Sequence, residues 1–276
     1  MNSSPLTGHY LTTTPIIYGN DNHATGFFFR YNDTTYLVTN RHALSFETEN
    51  GNKLQEAKIR IRDDPSDLDQ FENKTLNLRD DDNNRHWLDE DSRVDIGIIP
   101  LKPPVVSSQI NILPPKQISS ESYEYGNLAF CQRDFPESRP MSMIVSGGSE
   151  AIILGYPLEY FGPAYPVARN AIISSPYGRT IEELMETTAG IPKKAFLTDA
   201  VTHPGLSGSP VISQPPDKIM QNPDKPENVF VAASLMNYDN SRALFGIHAG
   251  EFDQYADFKL NNAVYPTAIT DVIDST

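Results

Sequence analysis

The sequence predicts an all-β protein built from two sets of strands, and three observations carry that expectation. Apolar residues fall in short runs with strand-like patterning, and a sustained 3.6-residue period is almost absent. Twenty-two prolines and sixteen glycines punctuate these runs and leave little uninterrupted length for helix. A proline-rich stretch then divides the runs into two groups. With 276 residues, of which 38% are hydrophobic and 21% charged, the chain is long enough for one large or two modest cores without disulfide or metal staples. That composition excludes disordered, collagenous and coiled-coil classes.

In order along the chain, the first group places strands near Thr14–Gly19, Gly26–Tyr31, Thr35–Thr39, Ala57–Arg62, Thr75–Arg79 and Asp95–Leu101. Asn32 and Asp33 suit the hairpin turn between the second and third, because both tolerate positive φ. Residues 63–91 hold eleven acidic and three basic residues, which reads as a solvated excursion with Trp87 anchoring it to the first group. Residues 102–125 contain two Pro-Pro pairs and read as an extended connector. The expected division is therefore 1–101, connector 102–125 and 126–276. The second group places strands near Ala151–Tyr156, Val167–Ser174, Ala195–Asp199, Ser209–Ile212, Val229–Leu235, Leu244–Ala249 and Val264–Ala268, with a proline-broken loop over Pro215–Asn228. A short C-terminal helix is compatible with this scheme.

Charge and cysteine content narrow the function. Twenty-two Lys and Arg against 36 Asp and Glu give a net charge of −14, which repels a phosphate backbone or an anionic membrane. Neither nucleic acid nor membrane is an expected partner. Cys131 is the one cysteine, so an intrachain disulfide or thiolate zinc site is out of reach and a reducing, cytoplasmic setting is expected. The first twenty residues lack the basic and apolar regions of a secretory leader. No cofactor and no metal are expected.

The chemistry concentrates in GLSGSPV at 205–211. Small residues around Ser207 allow a tight turn that aims the N–H groups of Gly205 and Ser207 at one spot beside the hydroxyl, as an oxyanion hole requires. A serine nucleophile also needs a histidine base with an orienting carboxylate. Of six histidines, His42 in YLVTNRHAL stands at the end of an apolar strand, held yet exposed. His9, His23 and His86 read as surface residues, His203 as a neighbour of the nucleophile loop, and His248 as a buried or pocket-lining residue. Asp95 opens the apolar run DIGIIPL, unlike most acids of the chain, which lie in hydrophilic runs. Asp199 is its one comparable rival and reads as a structural acid.

Five segments in order, TGFFF (25–29), VTNRH (38–42), DIGIIPL (95–101), GLSGSPV (205–211) and FGIHAG (245–250), resemble the trypsin-like, chymotrypsin-fold serine peptidases, particularly their disulfide-free bacterial branch. The resemblance runs from about Thr14 to Ile269. It implies two antiparallel six-stranded β-barrels with the active site in the cleft between them. It implies His42 as general base, Asp95 as its orienter, Ser207 as nucleophile, and the backbone N–H groups of Gly205 and Ser207 as the oxyanion hole. Because His42 and Asp95 come from one strand set and Ser207 from the other, neither half should be active alone. The resemblance also places Val201, Thr202, His248 and Gly250 around the substrate side chain. With Val201 where trypsin-like specificity needs an aspartate, a taste for Lys or Arg is not expected. The pair Thr202 and His248 is similar to glutamyl endopeptidases and implies an acidic or small polar residue before the scissile bond.

Leu206 departs from the family, which carries aspartate or asparagine there, so a zymogen ion pair at this position is chemically out of reach. Gly155-Tyr156-Pro157 reads as a structural strand-to-turn motif. The aromatic cluster Tyr156, Tyr160, Phe161 and Tyr165 reads as a packed barrel rim. The expected activity is endopeptidase hydrolysis of polypeptide substrates through an acyl-enzyme. The alternative is a catalytically idle barrel protein that binds peptides as a scaffold. An α/β-hydrolase esterase is excluded by the order His, Asp, Ser and by the missing helices. With no propeptide or PDZ-like extension expected, restraint would fall to narrow specificity, a disordered site or a regulatory protein partner.

Overall fold

The computed structural model describes residues 7–18, 22–47, 51, 53–61, 70–89, 93–101, 116–117, 123–124, 129–138, 145–158, 165–184, 193–214, 242–251 and 260–276. A one-turn helix α1 (Thr7–Thr12) leads into β1 (Thr13–Tyr18), β2 (Asn22–Tyr31) and β3 (Thr34–Thr39). The β2–β3 hairpin turns on Asn32 and Asp33 at φ of 46° and 60°, the left-handed geometry those residues tolerate. Helix α2 (Arg41–Leu44), β4 (Glu56–Ile61), β5 (Glu72–Asn77) and β6 (Gly97–Pro100) complete the first sheet, in the order β5-β4-β1-β2-β3-β6. This sheet is curled. Isolated bridges Arg79–Arg85 and Leu88–Ile98 carry its edge from beyond β5 round to β6.

Two short strands, β7 (Lys116–Gln117) and β8 (Tyr123–Glu124), pair with each other, and β9 (Phe130–Cys131) runs parallel to β2. The second unit is a closed antiparallel barrel: β10 (Glu150–Gly155), β11 (Val167–Ile173), β12 (Ala195–Asp199), β15 (Leu260–Val264), β14 (Leu244–Glu251) and β13 (Pro210–Ser213). A one-turn helix α3 (Ile181–Leu184) precedes β12, and α4 (Thr267–Asp274) closes the chain. Among the described residues no helix is long and apolar enough to cross a membrane. The all-β expectation with a short C-terminal helix holds, as one curled sheet and one closed barrel.

Two expectations move. The last strand is Leu260–Val264 rather than Val264–Ala268, and Ala268 lies in α4. Asn261 and Asn262 disguise this strand in the sequence, yet both are buried because side-chain bonds satisfy their amides, Asn261 with Thr202 and Ala200 and Asn262 with Gly250. Pro266 then ends the ladder. Asp199, expected as a structural acid, is exposed on β12. Most of the expected connector 102–125, all of Val229–Leu235 and Pro215–Asn228, and Tyr160 and Phe161 of the aromatic cluster lie outside the described residues.

Packing explains how two units hold one site. One buried cluster fills the first sheet around Ile16, Phe28, Leu37, Ile59, Leu76 and Trp87. Another fills the barrel around Ile153, Ile173, Phe196, Val211 and Phe245. The third joins the units, bringing Phe27, Phe29, Val38 and Ile98 of the first sheet against Ile152, Ile212, Ile247 and Val264 of the barrel and Ala268, Ile269 and Val272 of α4. Trp87, the one tryptophan, is 4% exposed within the first cluster, and Arg85 covers its ring at 4.8 Å, so the acidic excursion is anchored as expected.

A shared core requires the two units to unfold together. In urea, Trp87 fluorescence and far-UV circular dichroism should trace one coincident transition, and two separated transitions would contradict the joint core. Phe27→Ala, which truncates a fully buried ring in that core, should cost about 3–5 kcal/mol in both signals alike.

Candidate active site

His42 sits on α2, immediately after β3, rather than at the strand end itself. Buried Ala43 and Leu44 anchor this single turn, and Arg41 pins its outer face through Nε to Asp89 Oδ2 at 2.8 Å. Asn40 Nδ2 donates to the backbone oxygen of Asp95 at 2.8 Å. Asp95 then binds His42 twice. Its Oδ1 accepts the His42 backbone N–H at 3.1 Å, and its Oδ2 accepts from Nδ1 at 2.7 Å. A carboxylate only accepts, so Nδ1 carries the proton and Nε2 keeps its lone pair. Burial alone would lower the His42 pKa, but the hydrogen bond and charge of Asp95 outweigh it and hold the pKa above the ordinary 6.5. His42 and Asp95 therefore form an oriented, basic imidazole.

Ser207 arrives from the barrel, on the loop before β13, and the seam between the units positions it. The Thr25 N–H of β2 donates to the Ser207 oxygen at 2.9 Å. The next residue, Gly208, donates its N–H to the His248 oxygen at 2.8 Å. Gly208 adopts φ of 86°, and a Cβ there would collide with the Thr25 oxygen and the Thr39 hydroxyl, so only glycine lets the nucleophile loop approach the strand that leads to His42. The seam thus brings Ser207 to the His42 side of the molecule. Among the described residues the Ser207 hydroxyl makes no hydrogen bond to His42. Such bonds are often long before substrate binds.

Planarity of the peptide bond fixes the two N–H groups that the sequence singles out. Residues His203, Pro204, Gly205 and Leu206 form a turn in which the Leu206 N–H donates to the His203 oxygen at 3.2 Å, with Gly205 at φ of 94°. The Pro204 oxygen accepts from the Leu158 N–H at 2.8 Å, so the Gly205 N–H in the same peptide plane points away from Leu158. The Leu206 oxygen accepts from the Ser209 N–H at 3.0 Å, which orients the Ser207 N–H in the same way. Among the described residues neither N–H has an acceptor, leaving two fixed donors for an incoming anion.

Leu206 seats the loop in the interior. It is fully buried, with its Cδ2 against Gly155, where a Cβ would lie 2.9 Å away. Apolar packing holds the loop at this point. The motif Gly155-Tyr156-Pro157 is structural as expected, and its particular role is to floor this loop.

The four residues expected around a substrate side chain are placed as follows. His248 is buried on β14, where its backbone N–H donates to the Ser209 oxygen and its oxygen accepts from the Gly208 N–H. Burial first, and the neighbouring His42 second, pull its pKa down to about 4, so it is neutral at ordinary pH, and its Nδ1 has no partner among the described residues. Thr202 is half-buried and donates through Oγ1 to Asn261 Oδ1 at 2.9 Å. Gly250 lies at a register shift of β14 with φ of 106°, and Val201 stands 72% exposed.

Three histidines read as surface residues are not. His9 is buried and stacks on Phe130 at 5.5 Å. His86 is half-buried, with Nδ1 3.2 Å from the Asn77 oxygen. His23 is buried at the seam, where Nε2 donates to the Tyr156 oxygen at 2.7 Å. Their polar sequence neighbours conceal partners that come from distant segments. Asn261 escaped sequence reasoning, and Thr25 entered it as the first residue of the TGFFF segment with no role of its own. Among the described residues no group of His, Cys, Asp or Glu could hold a metal ion.

Comparison with known proteins bears on the family and the fold. The model of the trypsin-like peptidase domain matches residues 24–215, well over half of the chain. No curated protein sequence gives a match. Among solved structures, the chain is similar to Rv3671c from M. tuberculosis H37Rv, a serine-to-alanine mutant in its inactive form, at 14% identity and a TM-score of 0.50, covering 99% of this chain and 90% of that one. It is similar to the serine endoprotease from Yersinia pestis at 12% identity and a TM-score of 0.51, covering 100% and 67%. It is also similar to Deg5 at 13% identity and a TM-score of 0.51, covering 97% and 89%.

The buried seat of Leu206 makes a direct prediction. Leu206→Asp would place a carboxylate in an apolar pocket and should lower the unfolding free energy by about 3 kcal/mol or more. Urea denaturation at neutral pH checks this; an unchanged midpoint would contradict the packing described.

Proposed function

The chain belongs to the family of trypsin-like peptidase domains, and on that footing we propose that it is a serine endopeptidase acting on polypeptides through an acyl-enzyme. The observation that carries the reading is the 2.7 Å bond from His42 Nδ1 to Asp95, in a molecule whose seam ties the Ser207 loop to β2, the neighbour of the strand that leads to His42. His42 Nε2 takes the Ser207 proton as the hydroxyl attacks the scissile carbonyl, and Asp95 stabilises the imidazolium. The oxygen that becomes negative accepts from the N–H groups of Gly205 and Ser207. His42 then returns its proton to the leaving amine, and water repeats the sequence to release the acid.

For the residue before the scissile bond, the reading is an acidic or small polar side chain. His248 would offer an imidazole N–H, Thr202 would offer its hydroxyl only by giving up its bond to Asn261, and a bound carboxylate would raise the low pKa of His248 by charge attraction. The cytoplasm suits the half-buried thiol of Cys131. A regulatory protein partner is compatible with a nucleophile that bonds no described base in the resting molecule. The same observation is what favours the idle, peptide-binding alternative.

Labelling by a fluorophosphonate separates the two. The wild type should label and Ser207→Ala should not; a folded wild type that resists labelling over a broad pH range favours the scaffold. The rising limb of kcat/KM against pH should have its midpoint above 6.5, since the base must be neutral and Asp95 raises its pKa. Asp95→Asn should move that limb to lower pH and reduce kcat by about 10³- to 10⁴-fold. A peptide panel should show cleavage after acidic or small polar residues, and cleavage confined to Lys, Arg or bulky aromatic residues would overturn that preference.

A further inference from the structure

The first unit does more for the site than supply His42 and Asp95. Its strand β2 holds the oxyanion loop of the second unit at several points, through two side chains that the chemistry does not use. The Thr25 hydroxyl donates to the Gly205 oxygen at 2.8 Å and accepts from the Tyr156 N–H at 2.9 Å. His23 donates through Nε2 to the Tyr156 oxygen at 2.7 Å, and a carbonyl only accepts, so Nε2 carries the proton. Tyr156 is thus fixed at both its N–H and its oxygen by β2. Two residues on, the Leu158 N–H holds the Pro204 oxygen, which sets the direction of the Gly205 N–H. The fit is close, because a Cβ on Gly205 would lie 2.5 Å from the Tyr156 oxygen and 2.9 Å from both His23 Nε2 and the Leu158 nitrogen.

We propose that His23 and Thr25 are positioning residues for the oxyanion hole: through Tyr156 and Leu158 they hold the peptide of Pro204 and Gly205 so that the Gly205 N–H faces the reacting carbonyl. This rests on the reading of Gly205 and Ser207 as the hole of a serine peptidase. Three features carry it. His23 and Thr25 are both buried at the seam, one at 4% exposure and the other fully. Their bonds go to the backbone of the loop and of the segment flooring it, rather than to one another. Finally, each carbonyl from His203 to Ser207 has an assigned donor, so the loop has no slack except through the residues that hold those donors in place. Freed from His23, the 155–158 segment could shift, and the Pro204 peptide could rotate its N–H out of the cleft.

The test is kinetic. His23→Phe keeps the ring volume and loses the donor, His23→Gln keeps an N–H of similar reach, and Thr25→Val is isosteric and loses the hydroxyl. With a peptide substrate, His23→Phe and Thr25→Val should each reduce kcat about 10- to 100-fold, short of the 10²- to 10³-fold expected for complete loss of one donor. KM should stay within about twofold, and the pH midpoint set by His42 should not move, because the His42–Asp95 pair is untouched. His23→Gln should recover kcat to within about threefold of the wild type. Fluorophosphonate labelling of Ser207 should slow in parallel with kcat. Should His23→Phe fail to fold, Thr25→Val and His23→Gln decide the matter by the same readouts. Wild-type kcat in folded His23→Phe or Thr25→Val, a shifted His42 midpoint, or no recovery with glutamine would overturn the positioning role while leaving the peptidase reading intact. A wild type that neither hydrolyses nor labels would overturn the peptidase reading itself.

Discussion

Everything at the candidate site depends on the seam between the curled sheet and the closed barrel, and above all on the bond from the Thr25 N–H to the Ser207 oxygen. His42 and Asp95 are local to the first unit, and Ser207 is local to the second. An apolar core shared by both units supplies the adhesion, but such packing is indifferent to small sliding motions. Hydrogen bonds with direction remove that freedom. Those from β2 to residues 156, 205 and 207 convert adhesion into register, and Gly208 lets the backbones approach closely enough to form them.

Electrostatics divides the two histidines of the cleft by environment. Asp95 keeps His42 basic, while burial beside His42 keeps His248 neutral. With His248 neutral, protonation of His42 sets no second charge beside it. Leu206 extends the same economy, since an apolar side chain seats the nucleophile loop without introducing a third ionisable group. The net charge of −14 bears little on this chemistry, because much of it belongs to residues 63–91, whose described link to the His42 helix is the clamp of Asp89 on Arg41.

Strand positions were legible because each of these strands buries at least one face, and burial writes itself as apolar runs bounded by turn residues. The hairpin at Asn32 and Asp33 was legible for the same reason, its backbone demanding residues that tolerate positive φ. His42, Asp95 and Ser207 stood out because each adjoins an apolar strand or a glycine turn that would hold a polar side chain firmly. His23 was hidden. Its immediate neighbours Asp21 and Asn22 are polar, and the oxygen that satisfies it belongs to Tyr156, 133 positions away. Asn261 was hidden likewise, Thr25 was visible as part of TGFFF without its role, and β15 was displaced in the reading because its two asparagines are buried by bonds rather than by apolarity. Local patterning records what a segment buries, whereas these residues are set by what distant segments offer them.

The central claim is that docking of the two units builds one oxyanion-stabilising serine site. A crystal structure of the protein with a peptidyl boronate tests it most directly, since the adduct mimics the tetrahedral intermediate. The account predicts a covalent bond from Ser207 Oγ to boron, His42 Nε2 within hydrogen-bond reach, and one boronate oxygen at about 2.7–3.1 Å from the N–H groups of both Gly205 and Ser207. A boronate bound without that bond, or held with the Gly205 N–H turned away from it, would contradict it.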